Sequence, residues 1–223
     1  MIVTAPYGVL FDWDGVVVDS SRMHLLSWKR LAREIGEDLT EEQFKESFGQ
    51  INRFIIPNLF QWTDDPAEVD RLGKRKEELY REIIREEGLV PLPGVRELIE
   101  GLRGAGVPCV IGTSTEKENI RTSLEVMQME DCFDGVVASE DVANGKPDPE
   151  VFLKAAQKAG LPPHQCVVLE DSHHGLQAAQ AGGMKCVGVL TTHPKEKLGD
   201  PDLFVEGLHE LSEEVLSRLF SAS

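Results

Sequence analysis

Cysteine is scarce in this chain and carries no pattern. Cys109, Cys132, Cys166 and Cys186 lie far apart and form no C-x-x-C pair, which disfavours zinc ribbons and disulfide frameworks. Three of the four fall in or beside apolar runs, where a thiol serves as a small core hydrophobe, and a reducing cytoplasm is the expected setting. Long apolar runs are missing too, since none approaches the ~18 uninterrupted residues of a membrane span. The opening Met1-Ile2-Val3-Thr4-Ala5-Pro6 has neither the basic flank nor the apolar stretch of a secretion signal. Positive charge is also in short supply. The 223 residues hold 23 Lys+Arg against 39 Asp+Glu, a formal net charge of −16. That disfavours nonspecific nucleic-acid binding and an anionic membrane surface. It leaves room for a small phosphorylated substrate, provided local cations or a metal invert the field in one pocket.

Apolar residues make up 41% of the chain, enough for one large domain or for a core with an inserted lobe. Val9-Leu10-Phe11 reads as a buried parallel strand. After Asp19 the pattern turns helical for about seventy residues. Ser20 or Ser21 can cap a helix with the apolar face Leu25, Trp28, Leu31, Ala32 and Ile35, ending at Gly36. Thr40 with Gln43 forms a capping box, and Asp65-Pro66 opens a long helix bearing Val69, Leu72, Leu79, Ile83 and Ile84, stopped near Gly88.

From Pro91-Leu92-Pro93-Gly94 onward, helices alternate with short apolar strands. The strands are expected at 107–113, 135–138, 166–170, 185–189 and 203–205, and the helices around Leu98, Leu124, Leu153, Ala178 and Leu211. The tail His209–Phe220 reads as a packing helix with Leu211, Val215, Leu216 and Leu219 inward. Such alternation predicts a Rossmann-like α/β core, a parallel sheet with helices on both faces. It is assembled from residues 1–18 and 91–223, with a small all-helical domain, residues 19–90, inserted after the first strand.

Chemistry-bearing residues stand at the ends of these strands, where α/β sheets bind ligands. Asp12 and Asp14 close the first strand and Gly15 follows; one carboxylate could attack a phosphorus or carbon centre while its neighbour handles a proton. The strand 107–111 leads to Gly112-Thr113-Ser114-Thr115 and then to a helix. A hydroxyl at a strand end followed by a helix N-terminus makes an anion site, although Ser114 or Thr115 would equally serve as an N-cap. Lys146, flanked by Gly145 and Pro147, suits a cation fixed in place to neutralise a phosphoryl group. Glu170-Asp171, at the end of a buried strand, are costly unless paired and fit hard oxygen ligands for Mg²⁺.

Taken together, Phe11-Asp12-Trp13-Asp14-Gly15-Val16 with Asp19-Ser20, Thr113, Lys146 in Gly145-Lys146-Pro147-Asp148-Pro149, and Glu170-Asp171-Ser172 resemble the four motifs of the haloacid dehalogenase superfamily. The likeness is to its β-phosphoglucomutase-like branch of sugar phosphatases and phosphomutases, and it covers essentially the whole chain. The resemblance implies that Asp12 attacks phosphorus to form an aspartyl-phosphate. It implies that Asp14 protonates the leaving alcohol and later deprotonates water. It implies that Thr113, Ser114 and Lys146 hold phosphoryl oxygens. Mg²⁺ would be held by Asp12, the Asp14 main-chain carbonyl and Asp171, with Glu170 as direct or outer-shell support. A monomer is implied as well. The retained acid at Asp14 favours phosphate esters, because dehalogenase and phosphonatase relatives lack it.

In the inserted domain the resemblance places His24 and Lys76 against substrate; residues of an exposed helix surface are the alternative for each. His173 and His174 read as surface or capping residues. Two departures from the mutase are informative. Gly49-Gln50-Ile51-Asn52 puts Asn where the mutase has an arginine for a second phosphate, with Arg53 one residue late. Thr115-Glu116-Lys117 replaces a Ser-Lys-Asn run, setting an acid where a cation is expected. A carboxylate there repels a second phosphate. The expected function is therefore a phosphatase for a small phosphomonoester, a sugar or polyol phosphate. A phosphohexomutase that uses Arg53 and Lys117 is the alternative, and a non-catalytic binding protein, which retention of every acid argues against, is the third.

Overall fold

In the computed structural model, which describes residues 7–47 and 50–221, the chain separates into two compact units. One comprises Met1–Asp19 and Val90–Ser223, the other Ser20–Leu89. The first is built on one sheet of six parallel strands, β1 (Gly8–Phe11), β2 (Cys109–Gly112), β3 (Gly135–Val137), β4 (Cys166–Glu170), β5 (Lys185–Val189) and β6 (Leu203–Val205). Their order across the sheet is β3-β2-β1-β4-β5-β6. The central β1 pairs Phe11 with Ile111 of β2 on one side and with Leu169 of β4 on the other. Its four residues are all buried, as a continuous apolar run in a two-faced parallel sheet requires.

Leu10, Val110 and Val168 share a core cluster with Phe152, Ala155 and Leu176. These come from α7 (Glu150–Lys158) and α8 (His173–Ala181). α5 (Val95–Gly104) packs on β2 and on α9 (Glu213–Ser221). Tyr7, just ahead of β1, stacks on Phe220 at 5.0 Å, and its hydroxyl donates to the Glu213 carbonyl at 3.1 Å.

The tail differs from the expected single helix. A 3-10 turn at Leu208–Glu210 precedes α9, so Leu211 sits between two helical pieces. Leu211 and Leu216 are buried, while Val215 and Leu219 are half-buried. α7 forms as expected, yet Leu153 near its centre is 39% exposed. Cys109, Cys166 and Cys186 are buried free thiols and Cys132 is half-buried. Burial pushes the Cys109 thiol up to about 12 and the other two buried thiols to about 11.

Among the described residues of the second unit the regular elements are all helical. α1 (Ser21–Ile35) packs along α4 (Pro66–Glu87), with the short α2 (Glu41–Glu46) and α3 (Asn52–Phe54) between them in sequence. α1 ends on Gly36 in the left-handed conformation, φ 75°. Thr40 and Gln43 exchange both bonds of a capping box, and Asp65 accepts from the Ala67 N–H ahead of Pro66 at the first helical position. The sequence pattern did not disclose Ile55–Phe60, which forms a π-helical turn. Pro57 lacks the N–H that an α-helical ladder needs there, and a wider turn accommodates it. Trp28, Leu31, Phe44, Ile56, Phe60 and Leu72 form this unit's core. Trp28 meets Phe60 edge-on at 5.0 Å. Gly49, ahead of the Asn52 that stands in place of the mutase arginine, lies outside the described residues.

Candidate active site

The carboxyl ends of β1, β2 and β4 converge because these strands are neighbours in register. The Asp12 N–H still donates to the Leu169 carbonyl at 3.0 Å, so Asp12 is the last residue held by the ladder and its side chain is fixed against β4. Gly15 has φ +78°, and a Cβ there would lie 2.0 Å from Asp171 Oδ2. Only glycine lets the loop after β1 come this close to the acid of β4. Thr191 Oγ1 donates to the Gly15 carbonyl and ties the same loop to the segment after β5.

Asp12, Glu170 and Asp171 are all buried, and each offers an oxygen within 4.8 Å of the others. Lys146 Nζ donates to Asp12 Oδ1 at 2.7 Å and to Glu170 Oε1 at 2.8 Å, and it lies 4.7 Å from the Phe152 ring centroid. Glu170 is fully buried and its second oxygen accepts from the Ser172 N–H at 2.6 Å. Ser172 in turn caps α8 by accepting from the Gly175 N–H. One ammonium therefore faces three carboxylates. Burial first, then the negative charge of Glu170, raises Asp12 to about 7 against the opposing pull of Lys146. Burial followed by Glu170 and Asp12 raises Asp171 to about 8. An all-oxygen, buried, under-neutralised donor set fits a hard divalent cation such as Mg²⁺, with Asp12, Asp171 and Glu170 as the side chains that could hold it.

Asp14 is half-buried and accepts from Thr115 Oγ1 at 2.6 Å. Thr113 is buried at the end of β2, and its Oγ1 accepts from the Thr115 N–H at 3.1 Å. Ser114 is exposed. Neither Ser114 nor Thr115 caps the following helix. α6 (Lys117–Met127) starts later, with Glu116 in the N-cap position, and the Lys117 N–H is already engaged by the Glu140 carboxylate at 3.1 Å. The expected free helix terminus is thus closed by an acid, and Thr115 turns to Asp14 instead. His173 and His174 begin α8, where the cap itself is Ser172.

In the helical unit His24 is half-buried, and Lys76 is only 3% exposed rather than on a solvated surface. Lys76 Nζ lies 2.8 Å from His24 Nδ1 and 2.9 Å from Glu77 Oε1. His24 stacks on Tyr80 at 4.4 Å. Arg53 is exposed and held by Asp70 at 2.8 and 3.1 Å. Lys117, in the other unit, is likewise exposed and held by Asp141 at 2.7 Å.

Sequence reasoning missed Thr115 as a partner of Asp14, Thr192 as the hydroxyl bonded to Asp171, Phe152 beneath Lys146, and Glu77. A hydroxyl two residues past a strand end was visible, but its choice of acid was not.

A family model described as haloacid dehalogenase-like hydrolase matches residues 9–189. A chloroplastic 5-amino-6-(5-phospho-D-ribitylamino)uracil phosphatase of Arabidopsis thaliana is 34% identical over 92% of this chain, which spans only 55% of that protein. A phosphorylated carbohydrates phosphatase of Thermotoga maritima is 30% identical over 79% of this chain and 82% of its own length. The beta-phosphoglucomutase of Bacillus subtilis is 31% identical over 93% and 92%.

Proposed function

The chain belongs to the haloacid dehalogenase-like hydrolases, and from that premise we propose that it is a Mg²⁺-dependent phosphatase of a small sugar or polyol phosphomonoester. The observation that carries this is the buried grouping of Asp12, Lys146, Glu170 and Asp171 at three strand ends. Such a site can hold a divalent ion through its carboxylates, while Lys146 and the ion would neutralise a phosphoryl group. The names of two relatives, one acting on phosphorylated carbohydrates and one on a phosphorylated ribityl compound, agree with this substrate class.

In the proposed reaction an oxygen of Asp12 attacks phosphorus in line, and the bond from phosphorus to the alcohol oxygen breaks. The alcohol leaves with a proton from Asp14. Asp14 then takes a proton from water, whose oxygen attacks phosphorus and releases phosphate, restoring Asp12. Dividing the transfer through a covalent aspartate replaces one barrier by two lower ones. Thr113, Ser114 and Lys146 would hold phosphoryl oxygens; an ammonium has three donors, and the third is left for this task after Asp12 and Glu170. A bound divalent cation supplies Lewis-acid neutralisation of the developing charge.

A mutase must also bind a second phosphate. The two cations that a one-residue shift offers for this, Arg53 and Lys117, are exposed and already paired with Asp70 and Asp141, which favours hydrolysis. The test is phosphate release with Mg²⁺ across phosphorylated sugars and polyols, with β-glucose 1-phosphate and a trace of its 1,6-bisphosphate assayed for isomerisation. Hydrolysis that disappears with EDTA and in Asp12→Asn is expected. Isomerisation without phosphate release would overturn the reading.

A further inference from the structure

Lys146 is a buried ammonium carried by an exposed loop. Its side chain is 8% exposed, while Ala143, Asn144, Gly145 and Pro147 on either side of it face solvent. Val142 packs on the core ahead of this segment, and Val151, in α7, is buried after it. Packing therefore ends before the lysine and resumes only beyond it, so hydrogen bonds must hold the backbone in between.

Those bonds converge on one carboxylate. Glu150, the first residue of α7, accepts from the Ala143 and Asn144 N–H groups through Oε2, both at 2.9 Å. Its Oε1 accepts from Lys154 Nζ, one turn along α7, and Lys154 also donates to the Asp141 carbonyl at 2.6 Å. Within the loop the Asp148 N–H donates to the Gly145 carbonyl at 3.1 Å, and Asp148 Oδ1 accepts from the Glu150 N–H at 2.9 Å. Glu150 thus joins the start of the loop to its end, and Lys146 lies within the segment so closed. From there its Nζ reaches Asp12 and Glu170.

Resting on the phosphatase reading above, we propose that Glu150 is a positioning residue for Lys146, clasping the loop from which the ammonium reaches the phosphoryl site. It acts through the backbone of Ala143 and Asn144 and touches none of the reacting groups itself. A cation neutralises a phosphoryl group well only when its donors are already aimed, and a loop without packing cannot aim them. An acid at the first position of a helix also suits the helix dipole, so the two roles need separating. The dipole asks for negative charge, whereas the clasp asks only for an oxygen that accepts from both N–H groups.

Two measurements test this. In the first, inorganic phosphate is titrated calorimetrically with saturating Mg²⁺. Glu150→Ala removes the acceptor and is expected to weaken phosphate at least about tenfold. Glu150→Gln keeps an amide oxygen for the two N–H groups and should stay within about threefold of the parent. The second needs no ligand: denaturant melts in EDTA of Glu150→Ala, Lys146→Met and the double variant. Lys146→Met should lower the folded-to-unfolded ratio at least about threefold less when Glu150 is already alanine, because an unaimed ammonium has less to lose. Phosphate binding by Glu150→Ala equal to the parent, a loss as large in Glu150→Gln, or strictly additive melts would overturn the inference. A parent that binds no phosphate would sink the phosphatase reading instead, and the melts would still decide whether Glu150 acts through Lys146.

Discussion

Each unit of this protein buries a cluster of charge, and the two clusters are balanced in opposite ways. In the α/β unit three carboxylates share one ammonium, and burial lifts Asp12 and Asp171 far above the usual carboxylate range. In the helical unit the Glu77 carboxylate meets the Lys76 ammonium. Burial pushes Glu77 up, but the charges of Lys76 and His24 and the hydrogen bonds from Lys76 and Asn52 more than reverse this and bring it down to about 2. The first cluster is complete only when something cationic joins it. The second holds its carboxylate ionised, against cationic and amide partners. A buried charge group thus reveals its task by what it lacks as much as by what it contains.

The sharpest way to break this comparison is to remove the Lys146 ammonium from the under-neutralised cluster. Lys146→Met leaves Asp12 and Glu170 facing each other, and the expected cost is about 3–5 kcal/mol of unfolding free energy in EDTA. Phosphate release should fall at least about a hundredfold. Denaturant melts and a phosphate assay measure both, and a variant as stable as the parent would contradict the electrostatic account.

Next in size is the opposite pH response of the two clusters. Asp12 and Asp171 have folded values of about 7 and about 8, above those of the unfolded chain. Native protein therefore binds protons that unfolded protein does not, and this contribution is lost as pH rises through those values. Metal-free protein should melt at lower temperature near pH 9 than near pH 6 (both about), and saturating Mg²⁺ should flatten the trend. Glu77 has the reverse sign. Its folded value of about 2 lies below the ordinary 4.5 of a glutamate, so its contribution, on the order of 3 kcal/mol, is present above the unfolded value and is lost as pH falls toward 2. Thermal melts in EDTA across pH, with Glu77→Gln alongside, separate the two. A melting temperature that rises with pH between 6 and 9 (both about) would refute the first half.

Smaller effects sharpen the contrast. Thr115→Val removes the hydroxyl bonded to Asp14. It should slow alkyl phosphates by about tenfold, while p-nitrophenyl phosphate, whose leaving group needs little help from an acid, changes less. Equal loss on both would deny Thr115 any part in positioning Asp14. The smallest change lies wholly in the helical unit: Thr40→Ala deletes one half of the capping box and should cost about 1 kcal/mol without altering activity toward p-nitrophenyl phosphate.

The α/β unit was more legible in the sequence than the helical one, for a physical reason. β4, β5 and β6 have the bounds that the apolar runs predict, and β2 and β3 are only shortened at their ends. A parallel strand buried on both faces writes itself as a contiguous run, and the residue that follows is already at the ligand edge. Asp12, Thr113, Glu170 and Asp171 could therefore be placed from neighbours in sequence alone. Side-chain choices at that edge could not: Ser114 and Thr115 are both candidate caps by sequence, yet Thr115 bonds to Asp14 and Glu116 takes the cap position. In the helical unit the apolar faces and the caps at Thr40 and Asp65 were visible, but polar groups meet there through tertiary approach. Nothing in the spacing joins Asn52 to Glu77, and Lys76-Glu77 looks like a solvated pair until α1 and α4 close over it. The π-helical turn at Ile55–Phe60 escaped because Pro57 reads as a stop to periodicity rather than as a widened turn.

Gly175 lies at the base of the Glu170 side chain, and a Cβ there would fall 1.7 Å from Glu170 Oε1; Gly15 stands in the same relation to Asp171. Neither glycine has a group that could react or coordinate, yet each sets the volume in which an acid of the site must fit. Over generations of substitution, these two positions should be as immobile as the acids themselves. A mutational map of the chain would then show two fixed points beside the reactive ones, Gly175 held by crowding and Gly15 by crowding together with its positive φ.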